Sequence, residues 1–319
     1  MSPDASLPRH GGDLAFATRV YGTPPGGWLD LSTGINPNPY PVPPISPEAL
    51  HRLPDPDALG TLIATARRAY QVPPEVELIA VPGTEAAIRL LPLLAPSGKV
   101  AIFGPTYGTY VRVWPDAEIV SAAAGDAAVA VVVNPNNPDG RVVRAEALPT
   151  TSFLVVDETF ADTAPELSAI PSMLGTGRIV LRSLGKFYGL AGVRLGFVAA
   201  APPVAQRLRQ LLGDWPVSGP AIAIGSAALA DDAWRDAMRA QLKAEADALR
   251  AVLRSNGLGI AGGTDLFVLV ETANANALHR ALAERGVWTR AFADHPRWLR
   301  FGLPGAANMG RLAAALTAL

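Results

Sequence analysis

The stretch from Ser183 to Phe197, SLGKFYGLAGVRLGF, places one lysine, Lys186, in a glycine-rich turn. The apolar run RIVLR leads into this turn and the apolar run GFVAA leads out of it, as expected for two buried strands. An ordinary surface lysine fits poorly there, because a charged amine is costly to bury. Burial and the like charge of Arg194 both favour the neutral amine, which is a nucleophile towards carbonyl groups.

Short apolar runs alternate with helical patterns through the middle of the chain. The runs VELIAVPG, KVAIFGP, AVAVVVN and FLVVDE lack a polar alternation, which favours strands covered on both faces and a mostly parallel α/β sheet. We predict an N-terminal arm of turns over residues 1–48 and a large domain over residues 49–215. An interdomain helix and a smaller α+β domain are predicted over residues 216–319, with one long helix from about Ala221 to Ser255.

Composition excludes several classes of protein. The 319 residues include no cysteine, so disulfides, thiolate metal sites and cysteine nucleophiles are excluded. Four histidines without metal-ligand spacing predict no metal. A formal net charge of −1 predicts no nucleic-acid partner and no membrane surface. There is no signal-peptide pattern and no apolar run near the roughly 18 residues of a membrane span, so a cytoplasmic protein is expected.

Three further stretches place polar residues where predicted strands end, the edge at which open α/β sheets bind their ligands. Gly83 and Thr84 open a helix whose free N–H groups suit a phosphate. Asn137, in the turn NPNNPDG, can present its amide to a ligand, and Asp157, at the end of FLVVD, can serve as counter-ion for a ring nitrogen. Each also has a plainer interpretation as a helix cap, a turn residue or a salt bridge.

These residue types together suit one kind of cofactor. Ser183 and Arg194 add donors for a phosphate, the arginine through its fixed fork of N–H groups. An aromatic aldehyde that carries a phosphate and a ring nitrogen would use Lys186, Asp157 and this phosphate cup. Pyridoxal 5′-phosphate has these groups and is the predicted cofactor.

The order of the motifs supports the same interpretation. PGTEAA, FGPTYGTY, NPNNPDG, VDETF and SLGKFYGLAGVRLG resemble the fold type I pyridoxal-phosphate enzymes of the class I/II aminotransferase superfamily. The resemblance implies a PLP-binding large domain with a mostly parallel central sheet, a smaller C-terminal domain and a homodimer. The resemblance implies that Lys186 binds the cofactor covalently, that Asp157 pairs with the pyridine nitrogen and that Asn137 binds the 3′ oxygen. It implies that Tyr107 stacks on the ring and that Arg300 binds the substrate α-carboxylate. The residues implied to bind the cofactor phosphate are Gly83, Thr84, Ser183 and Arg194.

The N-terminal arm carries a narrower resemblance. HGGDLAFATRVYG, WLDLSTGINPNPYP and LPDPDALGTLIATARRAY are similar to the threonine-phosphate decarboxylases of cobalamin biosynthesis, which are relatives of the histidinol-phosphate aminotransferases. This implies conversion of L-threonine O-3-phosphate to (R)-1-amino-2-propanol O-2-phosphate and CO₂. Arg290 is the candidate for the substrate phosphate, with His10, Gly11 and Asn36 of the arm in support.

Two positions depart from the aminotransferase pattern. Phe160 stands where aminotransferases usually have tyrosine, and the decarboxylases commonly have phenylalanine there too. Leu53 stands where the histidinol-phosphate enzymes have a tyrosine that reaches the partner's cofactor phosphate. Residue identity alone leaves a histidinol-phosphate or related aminotransferase as one alternative. A non-catalytic binding module of the same fold is the other.

Overall fold

The structure is a computed structural model that describes Pro8 and residues 10–173 and 177–319. Its helices are α1 (Leu14–Tyr21), α2 (Pro47–His51), α3 (Pro56–Ala69), α4 (Thr84–Leu94), α5 (Thr109–Val113), α6 (Pro202–Leu212), α7 (Gly219–Ala230), α8 (Asp232–Ser255), α9 (Ala275–Ala283) and α10 (Met309–Thr317). Its strands are β1 (Leu29–Asp30), β2 (Glu77–Val81), β3 (Val100–Phe103), β4 (Glu118–Val120), β5 (Val129–Val133), β6 (Phe153–Asp157), β7 (Arg178–Ser183), β8 (Gly196–Ala200), β9 (Gly259–Gly263), β10 (Phe267–Glu271), β11 (Val287–Trp288), β12 (Arg290–Phe292) and β13 (His295–Gly302).

The chain divides into two compact units. The sheet unit contains the described residues of 39–137 and 141–237, and the C-terminal unit contains those up to residue 38 together with 138–140 and 238–319. This division differs from the predicted one. The described part of the arm up to residue 38 belongs to the C-terminal unit, residues 39–48 belong to the sheet unit, and the boundary lies inside α8 rather than at residue 215. Helix α7 stays with the sheet unit because Gly225 lets it approach Leu62 and Leu195, where a Cβ would lie 2.3 Å from Leu195 Cδ2.

The sheet unit is built on a seven-stranded sheet in the order β2-β8-β7-β6-β5-β3-β4. Strands β3 to β7 are parallel, and β8 runs antiparallel to both of its neighbours, β2 and β7. The mostly parallel α/β sheet predicted from the sequence is confirmed. Its apolar strands are covered by helices on both faces, as in Val129–Val133, where every residue is buried.

The reversed strand β8 brings distant segments together. Gly196, its first residue, is in register with Val81 at the end of β2 and with Ser183 at the end of β7. The turn that contains Lys186 therefore starts and ends at the edge where β2 gives way to α4. The carboxyl ends of β5 and β6 lie along the same edge, since Val133 is in register with Asp157.

The C-terminal unit contains a four-stranded antiparallel sheet, β12-β13-β10-β9, and a short parallel pair, β1-β11. The arm is not made of turns alone, because Asp13 accepts a hydrogen bond from the Phe16 N–H and caps α1. Phe16 and Tyr21 of this helix pack on Trp288, with ring centroids 6.1 Å apart in each pair. These aromatic contacts give the arm a folded N-terminal segment.

One predicted helix is two helices. The stretch from Ala221 to Ser255 is interrupted at Asp231, which accepts a hydrogen bond from the Trp234 N–H at 2.9 Å. This bond is the N-cap of α8, so the chain ends one helix and begins another at Asp231.

The residues that the structure describes include neither a membrane-spanning helix nor a cluster of metal-binding side chains. No helix there combines the length and the apolar character that crossing a bilayer requires. The same residues contain no cluster of three or more histidine, aspartate or glutamate side chains able to hold a metal ion.

A buried ion-pair cluster fixes the loop after β6. The Arg182 guanidinium donates to Glu158 at 2.9 Å and to Asp162 at 2.5 Å, and all three side chains are at most 3% exposed. Its carbon Cζ also lies 4.4 Å from the centroid of the Tyr70 ring. Because this cluster is cut off from water, each charge depends on its partners.

We predict that Arg182→Met lowers the free energy of unfolding by about 3–5 kcal/mol, because two buried carboxylates lose their cation. The control is Arg209→Met, which breaks the exposed Arg209–Glu77 pair and should cost at most about 1 kcal/mol. Urea unfolding of both variants gives the comparison. Equal, small losses would show that the buried cluster does not depend on its arginine.

Candidate active site

Lys186 differs from every other lysine of the chain. The sequence has three, and Lys99 and Lys243 are exposed helix or loop residues paired with aspartates. Lys186 is half-buried, and its Nζ lies 5.7 Å from the centroid of the Phe160 ring. It is therefore the one lysine held in the apolar setting that a nucleophilic amine requires.

Asp157 is a buried carboxylate with two local donors. Its side chain accepts from the Tyr110 hydroxyl at 2.8 Å and from the Thr159 N–H at 3.0 Å. Burial raises the pKa of the Asp157 carboxyl above its ordinary value, and the bonds to Thr159 and Tyr110 and the charge of Lys186 oppose that rise. A further N–H donor facing Asp157 would favour its ionised form, which suits a protonated ring nitrogen.

Tyr107 is held by helix α4. Its hydroxyl donates to Glu85 at 3.1 Å, and Glu85 also pairs with Arg89 one helical turn later. The Tyr107 ring meets the Tyr110 ring edge to face, with centroids 6.4 Å apart. Burial raises the pKa of the Tyr107 hydroxyl, so this side chain stays neutral and presents a fixed aromatic face.

Gly83 and Arg194 are in direct contact at the start of α4. Gly83 has φ +80, and a Cβ on it would lie 2.5 Å from Arg194 Nη2. Arg194 itself has φ +57, an uncommon conformation outside glycine, and its Nη1 donates to the Ala191 carbonyl. Thr84 is the first residue of α4 and Ser183 ends β7, so hydroxyl, guanidinium and free helix N–H groups gather at one place.

The turn after β5 is tied down by two of its asparagines. Asn134 exchanges two hydrogen bonds with the backbone of Val143, and Asn136 donates to the Pro105 carbonyl at 2.9 Å. Asn137 follows them and is half-buried. The turn is thus rigid where Asn137 would face a ligand.

This set of groups fits pyridoxal phosphate. A half-buried amine, a buried carboxylate, an aromatic face and a phosphate cup all belong to the sheet unit and all lie at the carboxyl edge of its strands. The close contact between Gly83 and Arg194 is informative, because any larger residue at Gly83 would displace the guanidinium from the helix N-terminus.

The predicted substrate arginines form a facing pair in the C-terminal unit. Arg290 and Arg300 are opposite each other on β12 and β13. Burial and the Arg290 charge lower the pKa of the Arg300 guanidinium to about 9, while Asp30 opposes that shift. Like charges opposite each other repel, so an anion bound beside them would be stabilising.

Arg290 also lines a small pocket within the C-terminal unit. The arm closes on this pocket, since the Arg290 guanidinium donates to the Pro8 carbonyl and Gly11 packs on Ser32, where a Cβ would lie 2.2 Å from the Ser32 oxygen. Three predicted residues, His10, Gly11 and Arg290, are therefore brought together. The other lining residues are Pro8, Ser32, His279, Trp288, Thr289 and Ala291.

Asn36 is not among these lining residues. Its side chain is buried and accepts a hydrogen bond from the Asn38 N–H at 2.8 Å, which is the bond of a turn. Arg300 likewise lies outside the pocket lining and donates to the Ser32 carbonyl at 2.9 Å.

Sequence reasoning missed four residues of these sites: Tyr110, Glu85, Ser32 and His279. Tyr110 had a signal, because it is the second tyrosine of FGPTYGTY, three residues after the predicted Tyr107. Ser32 and His279 had none, since a serine in a turn and a histidine on an amphipathic helix are commonplace.

We predict that His279 makes stability depend on pH. Burial, followed by the charges of Arg290 and Arg280, lowers the pKa of His279 to about 4 from an ordinary 6.5. Between these values the unfolded chain binds the proton and the folded chain does not, so stability falls as the pH drops from 6.5 to 4, by roughly 3 kcal/mol.

The measurement is the free energy of unfolding of wild type and His279→Gln at pH 7.5 and pH 4. The difference between the two proteins at pH 7.5 gives the packing cost, and it should shrink by roughly 3 kcal/mol at pH 4. A stability difference that is the same at both pH values would contradict a lowered pKa of His279.

Comparisons with known proteins identify the family of the chain. Residues 116–319 match the family model described as aminotransferase class I and II. The chain is 44% identical to a threonine-phosphate decarboxylase of Sinorhizobium sp, with 96% of this chain and 97% of that one covered. It is 39% identical to the threonine-phosphate decarboxylase of Pseudomonas aeruginosa, with 96% of each chain covered.

A solved structure has the same fold. The histidinol-phosphate aminotransferase of Sinorhizobium meliloti, in complex with pyridoxal-5′-phosphate, superposes with a TM-score of 0.77 at 23% identity, over 98% of this chain and 95% of that one. The central sheet and the family model together identify the fold type I α/β architecture. The chain belongs to the aminotransferase class I and II family.

Proposed function

We propose that the protein is a pyridoxal-phosphate-dependent lyase of cobalamin biosynthesis. It decarboxylates L-threonine O-3-phosphate to (R)-1-amino-2-propanol O-2-phosphate and CO₂. The observation that favours this reaction over amino transfer is the 44% identity to a threonine-phosphate decarboxylase across nearly the whole chain.

The sheet unit would hold the cofactor. Lys186 would bind it covalently, Asp157 would pair with the ring nitrogen, Tyr107 would stack on the ring and Asn137 would bond its 3′ oxygen. Bound pyridoxal phosphate supplies an electron sink for the pair left on Cα when CO₂ departs. Its phosphate is assigned to Gly83, Thr84, Ser183 and Arg194.

The protein would choose the reaction by orientation. The bond to be broken must stand perpendicular to the cofactor ring, so a decarboxylase has to hold the substrate carboxylate out of the ring plane. We assign that carboxylate to Arg300. Lys186 would be released from the cofactor when the substrate amine takes its place. Once CO₂ has left, the freed Lys186 side chain, as an ammonium, is the proposed proton donor to Cα, so that the Cα–carboxylate bond is replaced by a Cα–H bond.

The substrate phosphate is assigned to Arg290 with His10 and Gly11. All three line one pocket, and the close contact of Gly11 with Ser32 seats the arm beside Arg290. Asn36 was also predicted for this role. Because its side chain closes a local turn, we now propose that it shapes the arm.

Location and assembly form part of the same proposal. The family resemblance implies a homodimer, and we place the enzyme in the cytoplasm. Leu53, in place of the tyrosine of the histidinol-phosphate enzymes, is 66% exposed and would give any such dimer a different contact. Light scattering on the purified protein gives the mass of the assembly.

A product assay tests the reaction. Holoenzyme incubated with L-threonine O-3-phosphate should release CO₂ in amounts equal to the amine formed, without added keto acid. A keto product that appears only with an amino acceptor would indicate an aminotransferase instead. Bound cofactor without turnover of any amino acid would indicate a binding module.

We predict that Asp157→Asn retains the cofactor but that its turnover rate falls about 10²–10³-fold, since an amide cannot keep the ring nitrogen protonated. A well-placed electrostatic contact of this kind is worth roughly 3–4 kcal/mol. Cofactor absorbance of the purified variant reports binding separately from CO₂ release. Turnover at the wild-type rate would reduce Asp157 to a structural strand-end residue.

We predict that Gly83→Ala weakens cofactor binding by about ten- to a hundredfold, because the new Cβ displaces Arg194 from the phosphate cup. Gly213→Ala is the matched control. Gly213 has φ +71, so alanine there meets a similar backbone strain of about 1–3 kcal/mol. Apart from its chain neighbours, no atom of the described residues lies within 4 Å of its Cβ position. Titration of the apo-proteins with pyridoxal phosphate should separate the two variants, and equal affinities would contradict this role of Arg194.

A further inference from the structure

His279 lies in the pocket that contains Arg290, although no sequence pattern singled it out. Its ring, on α9, is 1% exposed and packs on Trp288 with centroids 4.5 Å apart. Its Nδ1 lies 2.8 Å from the Thr289 hydroxyl. The other ring nitrogen, Nε2, is buried and has no hydrogen-bond partner within the part of the chain that the structure describes.

A buried ring nitrogen without a partner is unfavourable, so native proteins rarely leave one unless a bound water, a ligand or an ion completes it. Hydrogen bonding to Thr289 and packing on Trp288 fix the ring, so Nε2 cannot turn to another group. His279 is also among the residues that line the pocket. A ligand in the pocket is therefore a candidate partner for this nitrogen.

The charge of the pocket indicates the class of ligand. Arg290 is a cation, and burial lowers the pKa of both Arg290 and His279, which means that the pocket disfavours further positive charge. A neutral imidazole has one donor and one acceptor nitrogen. If the Thr289 hydroxyl donates to Nδ1, the proton of His279 is on Nε2, and the pocket offers an N–H donor beside a guanidinium.

We propose that His279 is a specificity-determining residue, held by Thr289 in the Nε2–H tautomer, that donates a hydrogen bond to the phosphate group of the substrate beside Arg290. This inference rests on the proposed function for the identity of the substrate. It adds a neutral donor to a site that otherwise recognises the phosphate through charge and the arm. Such a donor discriminates by geometry, since it contributes little to a ligand without a phosphate.

Two isosteric variants of the holoenzyme test this role. Asparagine can keep the bond to Thr289 but has no atom at the Nε2 position, whereas the longer glutamine places an amide N–H close to it. His279→Asn should lose about ten- to a hundredfold in kcat/KM for threonine phosphate, with a smaller loss for threonine. His279→Gln should recover most of the preference for the phosphorylated substrate.

Inorganic phosphate gives a readout that does not require turnover. Its inhibition constant against threonine, and the rise in Tm that it causes in holoenzyme, should weaken in His279→Asn and largely return in His279→Gln. If both variants bind phosphate as wild type does, His279 is a packing residue and the inference is wrong.

The wild-type protein gives a test that holds even if the variants fold poorly. Nitrogen-15 chemical shifts of the histidine rings should show one neutral histidine in the Nε2–H tautomer, whose shift moves when phosphate is added. A neutral Nδ1–H tautomer, or no response to phosphate, would overturn the proposal. A response to phosphate without CO₂ release from threonine phosphate would instead overturn the proposed function and leave this pocket standing.

Discussion

The antiparallel placement of β8 in an otherwise parallel arrangement is the constraint on which the cofactor site depends. Because Gly196 is in register with both Val81 and Ser183, the turn between β7 and β8 has to pass over the start of α4. This turn carries Lys186 and Arg194, and α4 supplies the free N–H groups at its N-terminus. Had β8 run parallel, its first residue would lie at the opposite edge of the sheet, and the amine and the phosphate donors would be far apart.

Charge in the two units is handled in different ways. In the sheet unit, buried charges are compensated within the protein: Arg182 meets two carboxylates, and Asp157 accepts bonds from Tyr110 and Thr159. In the C-terminal unit, Arg290 and Arg300 face each other, and burial lowers the pKa of each. In the sheet unit the charges are thus satisfied within the fold, whereas the facing arginines of the C-terminal unit would favour a bound anion.

Much of the fold, and the gathering of the candidate site residues at one edge of the sheet, could be predicted from the sequence, because both depend on local patterns. Apolar runs predict strands, and the polar residues after them predict the edge at which the candidate site lies. The direction of β8 could not be predicted in this way, since GFVAA has the same pattern in either orientation. The cap at Asp231, the helix in the arm and the pairing of His279 with Thr289 are set by single hydrogen bonds or by contacts between distant segments. Patterns of hydrophobicity do not predict such individual bonds and long-range contacts.

The central claim is that Lys186 is the residue to which the cofactor is attached, and the chain offers internal controls. Lys99 and Lys243 are the other two lysines, and both are exposed and paired with aspartates. Borohydride reduction of the protein loaded with pyridoxal phosphate, followed by peptide mapping, reports the attachment site directly. We expect the phosphopyridoxyl group on the peptide that contains Lys186 and none on the other two. A label on Lys99 or Lys243 with Lys186 unmodified would contradict the account.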